Sequence, residues 1–340
     1  MNITYFIGNG FDVGLHLDTT YKKFYPYFLK NAGADNQLRK AIDHDTDFEN
    51  WSDLEKALGI YTGKIESSGE SANRFIKDKL ELDDCLKNYL ANEQKKFTMK
   101  RDEMKNLLIN AFEQFKEGNN ENERLLIRKT LDSCKDENYI YQCITFNYTK
   151  CIDQVWKTLR DSETGRHNTV GARHKEFSGN VLHIHGTLED NEMITGVNDE
   201  KQISNSSLAQ NIHVKWALIK PYLNQAIGQN KTQKAQKIID HSAIVCVYGM
   251  SLGETDNIWW KYLGQWLTKQ TAHILMIYHY APGFTVTHPV RQLMHAENVK
   301  RAFLKRTDLT PAEQSAVQPR IIVYDNKNVF QPQKPYNIDS

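Results

Sequence analysis

Ile3-Thr4-Tyr5-Phe6-Ile7-Gly8-Asn9-Gly10-Phe11-Asp12 is an apolar, β-prone run that breaks at two glycines one residue apart. A run of this kind bounded by glycine reads as a buried strand followed by a sharp turn. Glycine lets the backbone turn tightly and lets another group come close to its N–H groups. A helix starting soon afterwards would add its N-terminal dipole, so that loop and helix together would make an anion site. The stretch therefore reads as the opening of a nucleotide-binding α/β domain. The dinucleotide fingerprint wants a third glycine, which is missing from its place although Gly14 lies nearby. A plain strand-to-helix turn is the other reading.

Further strand signals follow at 139–146, 181–186, 243–249, 273–278 and 321–324. The early and central ones are nearly continuous apolar runs, which suits a parallel sheet covered on both faces by helices. Directly after the glycine turn, Thr19 or Thr20 can cap a helix whose Tyr21, Phe24, Tyr25 and Phe28 make a core-facing stripe. Between 35 and 137 the texture changes to Lys, Glu, Asp, Asn, Leu and Phe without a β-rich run. Ser52 and Glu55 form a capping box there, and Leu54, Leu58 and Tyr61 continue its apolar face. Helical spacing recurs at Leu80, Leu82, Leu86 and Leu90, and again from Met104 through Leu107, Leu108, Ala111, Phe112 and Phe115. Residues 160–179 read as a polar loop, and 211–241 as helical. The expected division is an α/β domain over 1–34 and 138–330, a helical insertion over 35–137 and a C-terminal tail over 331–340.

Bulk properties narrow the function classes. The formal net charge is +1 over 340 residues, so a polyanion partner would need a local basic patch. The five cysteines, Cys85, Cys134, Cys143, Cys151 and Cys246, show no CxxC spacing. That pattern argues against a structural zinc site or a disulfide framework and suits a reducing cytoplasm. The N-terminal apolar run is too short for a signal peptide, and no segment has the length of a membrane span. The expectation is a cytoplasmic protein without a membrane partner.

The strand ends carry the chemistry. In open α/β sheets ligands bind outside the carboxyl ends of the strands. Here those ends read Gly8-Asn9-Gly10-Phe11-Asp12, Thr145-Phe146-Asn147-Tyr148-Thr149, His183-Ile184-His185-Gly186 and Tyr248-Gly249-Met250-Ser251-Leu252-Gly253-Glu254-Thr255-Asp256. The glycine turns offer backbone donors suited to a pyrophosphate, and Ser251 adds a hydroxyl. Asn147 offers an amide that can hold a ribose hydroxyl or a water. His185 is a side chain fit for general-base work near neutrality; a buried packing histidine is the alternative. Strand alternation puts His183 on the same face, so a histidine metal pair is conceivable, but no acidic or cysteine ligand follows at metal spacing. Glu254 and Asp256 can either cap the helix that follows or contact ribose. Together these tips could hold a dinucleotide and cleave its glycosidic bond.

Four of these segments, in order, resemble the sirtuin family: the glycine loop from Gly8, the Asn147 strand end, the His185-Gly186 pair and the Gly249-Met250-Ser251-Leu252 turn. With Trp51-Ser52-Asp53-Leu54-Glu55 added, the set resembles more closely the AbiH family of bacterial abortive-infection proteins. That resemblance implies an antiphage role and a Rossmann-like, sirtuin-like core. By the sirtuin comparison, Asn147 and His185 fall on the catalytic positions of NAD cleavage, and Gly8, Gly10, Asp12 and Ser251 on nucleotide-binding positions. Asn9, Phe11, Thr20, Tyr148, Gly186, Gly249, Leu252 and Asp256 complete the expected binding set. NAD is then the substrate, ADP-ribose the product, and no metal is expected.

The chain departs from the sirtuin pattern in three ways. It has no cysteine pairs for a zinc module, it carries Asp12 where sirtuins carry Ser, and Thr19-Thr20-Tyr21 replaces the Arg of their loop. A homo-oligomer and a phage-derived trigger or partner protein are further expectations by analogy. Two other readings stand beside hydrolysis. One is a nucleotide-sensing module without catalysis. The other is a nuclease-type effector in which Asp12, Glu49, Asp53 and Glu55 converge.

Overall fold

A computed structural model describes residues 1–44, 54–65, 69–133, 138–160, 168–170, 173–177, 180–189, 192–282, 284, 288–326 and 329–330. Its centre is β1 (Asn2–Ile7), flanked on one side by β2 (Tyr139–Thr145) and on the other by β6 (Ser242–Tyr248). β3 (Asn168–Val170), β4 (Arg173–Phe177) and β5 (Leu182–His183) lie on the β2 side, whereas β7 (Ile274–His279) and β8 (Ile321–Asp325) lie beyond β6. The order is β3-β4-β2-β1-β6-β7-β8, with β5 also pairing with β2. Every pairing is parallel except that of β3 with β4. This is the Rossmann-like α/β sheet the apolar runs predict.

Strand alternation explains why β1 has to be apolar on both sides. Ile3, Tyr5 and Ile7 join one core and Phe6 the opposite one, and all four are fully buried. Thr4, the polar member, meets Ser242 at 2.7 Å. The first core lies under α6 (Arg101–Gln114), α7 (Glu121–Ser133) and α8 (Cys151–Arg160). Tyr5 and Tyr324 donate from the sheet to the carbonyls of Ala111 and Phe115, so these two buried hydroxyls are satisfied. The opposite core is built by the helices Lys231–Asp240, Asn257–Lys269 and Pro289–Lys305, with Trp259, Trp260 and Trp266 buried in it.

A third core contains α2 (Tyr21–Asn31), α3 (Gln37–Asp43), α4 (Leu54–Tyr61) and α5 (Gly69–Gln94), with the helices Ser206–Gln210 and Ile212–Leu218. Tyr148, just past β2, is part of it. The 35–137 segment is helical where described, but it serves two cores. α3 to α5 build the third core, and α6 and α7 cover the sheet. In α5, Leu82, Leu86 and Leu90 are buried as the spacing predicts, whereas Leu80 faces solvent.

Two expectations need correction. The 160–179 segment holds the β3–β4 hairpin rather than only a loop. Residues Arg173, His174, Lys175 and Glu176 form no apolar run, so the strand that pairs with both β2 and β3 leaves no periodic signal in the sequence. The strand expected over 181–186 contracts to Leu182–His183, so His185 lies beyond the ladder. Glu49, Ser52, Asp53, Cys134 and the 331–340 tail lie outside the described residues. Cys85, Cys143, Cys151 and Cys246 are free and buried. Among the described residues no helix is long and apolar enough to cross a membrane.

Candidate functional site

The chain leaves β1 toward β2 and later returns to β6 on the opposite side of β1. The carboxyl ends of β1 and β6 therefore flank a topological switch point. Two glycine loops meet there. Gly8 N–H donates to the Tyr248 carbonyl at 2.9 Å and Gly10 N–H to the Gly249 carbonyl at 2.8 Å. A Cβ on Gly10 would stand 2.5 Å from Gly249 Cα, and one on Gly8 would stand 2.5 Å from Met250 Cγ. Gly249 adopts φ 68°, where glycine is at ease. The glycines thus let two backbones touch, and the Gly8 and Gly10 N–H groups are used inside the protein. The helix after the turn, α1 (Gly10–Gly14), is barely more than one turn long.

A cavity of about 440 Å³ opens beside these loops. That is within the roughly 300–1,000 Å³ typical of small-molecule sites. Of the residues read from the sequence, Gly8, Asn9, Asp12, Thr20, Asn147, Tyr148, His185, Gly249, Ser251 and Asp256 line it. Gly10, Phe11, Gly186 and Leu252 do not. Gly10 packs on Gly249. Phe11 is buried against Phe330, with ring centroids 5.5 Å apart. Gly186 turns the chain at φ 77°, where a Cβ would collide with the Glu192 carbonyl. Leu252 packs against the tryptophan-rich core.

Hydrogen bonds fix the first group of side chains. Thr20 caps α2 by accepting from Lys23 N–H. Thr19 Oγ1 donates to Asn9 Oδ1 at 2.6 Å, and Asn9 Nδ2 donates back to the Thr19 carbonyl at 3.1 Å. Asn147 N–H bonds Thr145 Oγ1 at 3.2 Å, and the Asn147 carbonyl lies 2.9 Å from His183 Nδ1. The other nitrogen of His183 is 2.8 Å from Asp153 Oδ2. His183 therefore holds Asn147 in place, and the conceivable histidine metal pair does not form. His185 instead faces the cavity, with Phe146 edge-on at 5.6 Å.

The electrostatics are unusual. Asp12 is wholly buried and accepts from Thr149 Oγ1 at 2.6 Å. Burial pushes its carboxyl up from 3.8 to about 6, and Thr149, Asn147 and His183 counter this only in part. Asp256 behaves in the opposite way. Burial would raise it, but Lys220 at 3.7 Å and His185 at 3.6 Å hold it below its ordinary value. Lys220 Nζ also pairs with Glu55 Oε2 at 2.7 Å, both side chains being buried. Glu55 Oε1 accepts from Tyr148 at 3.2 Å and from Gly196 N–H at 3.3 Å. The result is a buried chain of ionisable groups, Glu55–Lys220–Asp256–His185. Around it, Asp12 Oδ1, Asn147 Nδ2, both ring nitrogens of His185 and Asp256 Oδ1 are buried without a hydrogen-bond partner among the described residues. Buried polar atoms are normally hydrogen-bonded, so five without a hydrogen bond around one cavity make it the candidate ligand site.

Asp12 yields a test. Its folded value lies above its unfolded value, so the folded state holds more protons between them. Stability therefore falls as pH rises from about 4 to about 6 and levels off above. A shift from 3.8 to about 6 corresponds to at most about 3 kcal/mol. Asp12→Asn keeps an acceptor for Thr149 and removes the charge. It is expected to raise stability at pH 7 by up to that amount and to flatten the pH dependence, read by urea denaturation at pH 4 and pH 7.

Sequence reasoning missed Lys220, Thr149, Lys22 and Thr255 as lining or charge-pairing residues. Lys220 opens the helix Lys220–Ala226, far from every glycine-bearing tip, and only the fold brings it to Asp256. Glu254, left open between capping and ribose contact, pairs instead with Lys56 at 2.9 Å and Arg306 at 2.8 Å. These cations bring it down to about 2. Asp256 makes no side-chain cap to the helix that follows. Of the carboxylates proposed for a nuclease, Asp12 and Glu55 line the cavity. Among the described residues, the group of His, Asp, Glu or Cys spaced to hold a metal is His279, His295 and Asp325, none of which lines it.

Two comparisons bear on this geometry. The family model for bacteriophage abortive infection AbiH matches residues 4–278, which include every residue of the cavity. Compared with curated proteins, the chain matches none.

Proposed function

This chain belongs to the bacteriophage abortive-infection family AbiH, and we propose that it acts by binding NAD in the switch-point cavity and hydrolysing the nicotinamide–ribose bond. The observation that carries this reading is the convergence of the unpaired polar atoms of Asp12, Asn147, His185 and Asp256 on one cavity at the carboxyl edge of a parallel sheet. In such sheets that edge, at the switch point, is where dinucleotides bind.

The residues divide the work by position. Exposed Ser251 and Lys22, with Thr20, supply hydroxyls and a cation at the cavity mouth for a pyrophosphate. Phe146 and Tyr148 supply aromatic surface beside His185 for the nicotinamide ring. Asp12 sits with Asn147 and Thr149, so its carboxylate serves the cationic nicotinamide ribosyl centre rather than the phosphates. Loss of nicotinamide builds positive charge on the ribose, which a buried carboxylate stabilises. Asn147 Nδ2 holds a ribose hydroxyl or the attacking water. As the water oxygen bonds to C1′, the C1′–N bond breaks and its electron pair stays on the departing nicotinamide. His185 takes the water proton, and Asp256 stabilises the imidazolium, itself balanced by Lys220. The products are nicotinamide, ADP-ribose and a proton. Depletion of NAD would starve an infected cell, which fits abortive infection.

The test is chromatography of NAD incubated with the purified protein, and with lysate of phage-infected cells expressing it. Equal amounts of nicotinamide and ADP-ribose are expected, and Asn147→Ala is expected to abolish both. Intact NAD in both settings would overturn the proposal.

A further inference from the structure

We propose that His279, His295 and Asp325 form a binding site for a divalent first-row transition cation, with Zn²⁺ as the probe, at the carboxyl ends of β7 and β8. The site lies outside residues 4–278 and is separate from the cavity. It does not rest on the proposed hydrolysis of NAD.

The fold builds it from three elements. Parallel pairing of β7 with β8 places His279 directly opposite Asp325, the last residues of their strands. His295 comes from the helix Pro289–Lys305, which packs against β8. Its Nε2 lies 3.1 Å from His279 Nδ1 and 3.2 Å from Asp325 Oδ1, and all three ligand atoms fall within 4.8 Å of one another. Metal–ligand bonds of about 2.0–2.1 Å arranged tetrahedrally put neighbouring ligand atoms about 3.3–3.4 Å apart. The two spacings made by His295, 3.1 and 3.2 Å, lie close to that edge length, and the third is within 4.8 Å.

Hydrogen bonding alone does not account for the convergence. His295 Nε2 carries at most one proton and faces both an imidazole nitrogen and a carboxylate oxygen. If it donates to Asp325, its proton serves His279 poorly. If His279 donates to it, the His295 lone pair faces a carboxylate. Asp325 Oδ1 is in fact buried without a hydrogen-bond partner among the described residues, and its side chain is only 3% exposed. One cation satisfies all three lone pairs together.

The surroundings hold the ligands still. Phe284 stacks on His295 with ring centroids 4.3 Å apart. Asn326 donates its backbone N–H to the His279 carbonyl at 2.9 Å. Its side chain bridges both polar groups of the Ala281 backbone, at 2.7 and 3.0 Å. Two imidazoles and one carboxylate favour Zn²⁺ and its transition-metal neighbours over Mg²⁺ or Ca²⁺. Three protein ligands leave a coordination position for water or a substrate oxygen.

The test uses the untagged, full-length protein, stripped with chelator and dialysed against Zn²⁺ or Co²⁺. One Zn²⁺ per chain by elemental analysis is expected, together with the visible absorption of four- or five-coordinate Co²⁺ and a rise in Tm on Zn²⁺ addition. His295→Gln and Asp325→Asn, which preserve size, are each expected to remove the Co²⁺ signal and the Tm response while keeping the native circular dichroism. Failure of wild type to retain stoichiometric metal overturns the site. So does equal retention by the His279→Gln/His295→Gln double variant, which would assign the metal to other histidines. Either result is read without NAD, so it leaves the fate of the cavity proposal independent.

Discussion

Replacing His185 by alanine is expected to lower nicotinamide release by about 10²–10⁴-fold, the range for loss of a positioned general base. His185 is well placed for the role. It sits past the end of β5, is largely buried, and its two ring nitrogens have no hydrogen-bond partner among the described residues. Asp256 lies 3.6 Å from it, a distance that stabilises an imidazolium without already consuming the ring nitrogen. Because the chemistry would be lost and the cavity kept, the effect should fall on kcat more than on KM. Steady-state kinetics by nicotinamide release would show it. A packing histidine would give a stability loss with unchanged turnover per folded molecule.

Replacing Lys220 by methionine should destabilise the fold by about 3–5 kcal/mol, since it strands buried charge on Glu55 and Asp256. Urea denaturation would measure it. The double variant Glu55→Gln/Lys220→Met should recover most of the loss, because a buried ion pair as a whole contributes little net stability. If so, the pair is kept for what it positions. Glu55 ties α4 to the Tyr148 hydroxyl and to Gly196 N–H, and Lys220 holds Asp256 beside His185. The helical cap and the sheet would then share one electrostatic hinge at the cavity wall. Lys220→Met should also reduce turnover of the molecules that remain folded.

The sheet was legible because its strands are buried on both faces, so Ile3 to Ile7 and Ile244 to Tyr248 leave continuous apolar runs. Arg173–Phe177 reads as loop because Arg173-His174-Lys175-Glu176 has no apolar run, although the segment is paired on both sides, with β2 and with β3. The glycines were legible as necessary but not for their reason. Gly8, Gly10 and Gly249 sit at the site, yet their contacts are with each other's backbone, a distance relation that no local pattern encodes. Asn147, His185, Asp12 and Asp256 stand in polar clusters directly after strands, where the rule for parallel sheets puts ligands, and the fold gathers them. Phe11 and Leu252 carry the same motif but point into cores. Lys220 belongs to a charged helical stretch like many others, and only its partner 165 residues away marks it.

Calorimetric titration of NAD into the His185→Ala protein tests the central claim most directly, because it reads occupancy of the cavity without turnover. Saturable one-to-one binding is expected, weakening when Ser251→Ala and Lys22→Ala are added at the mouth. Absence of binding at millimolar NAD by the correctly folded variant would contradict it.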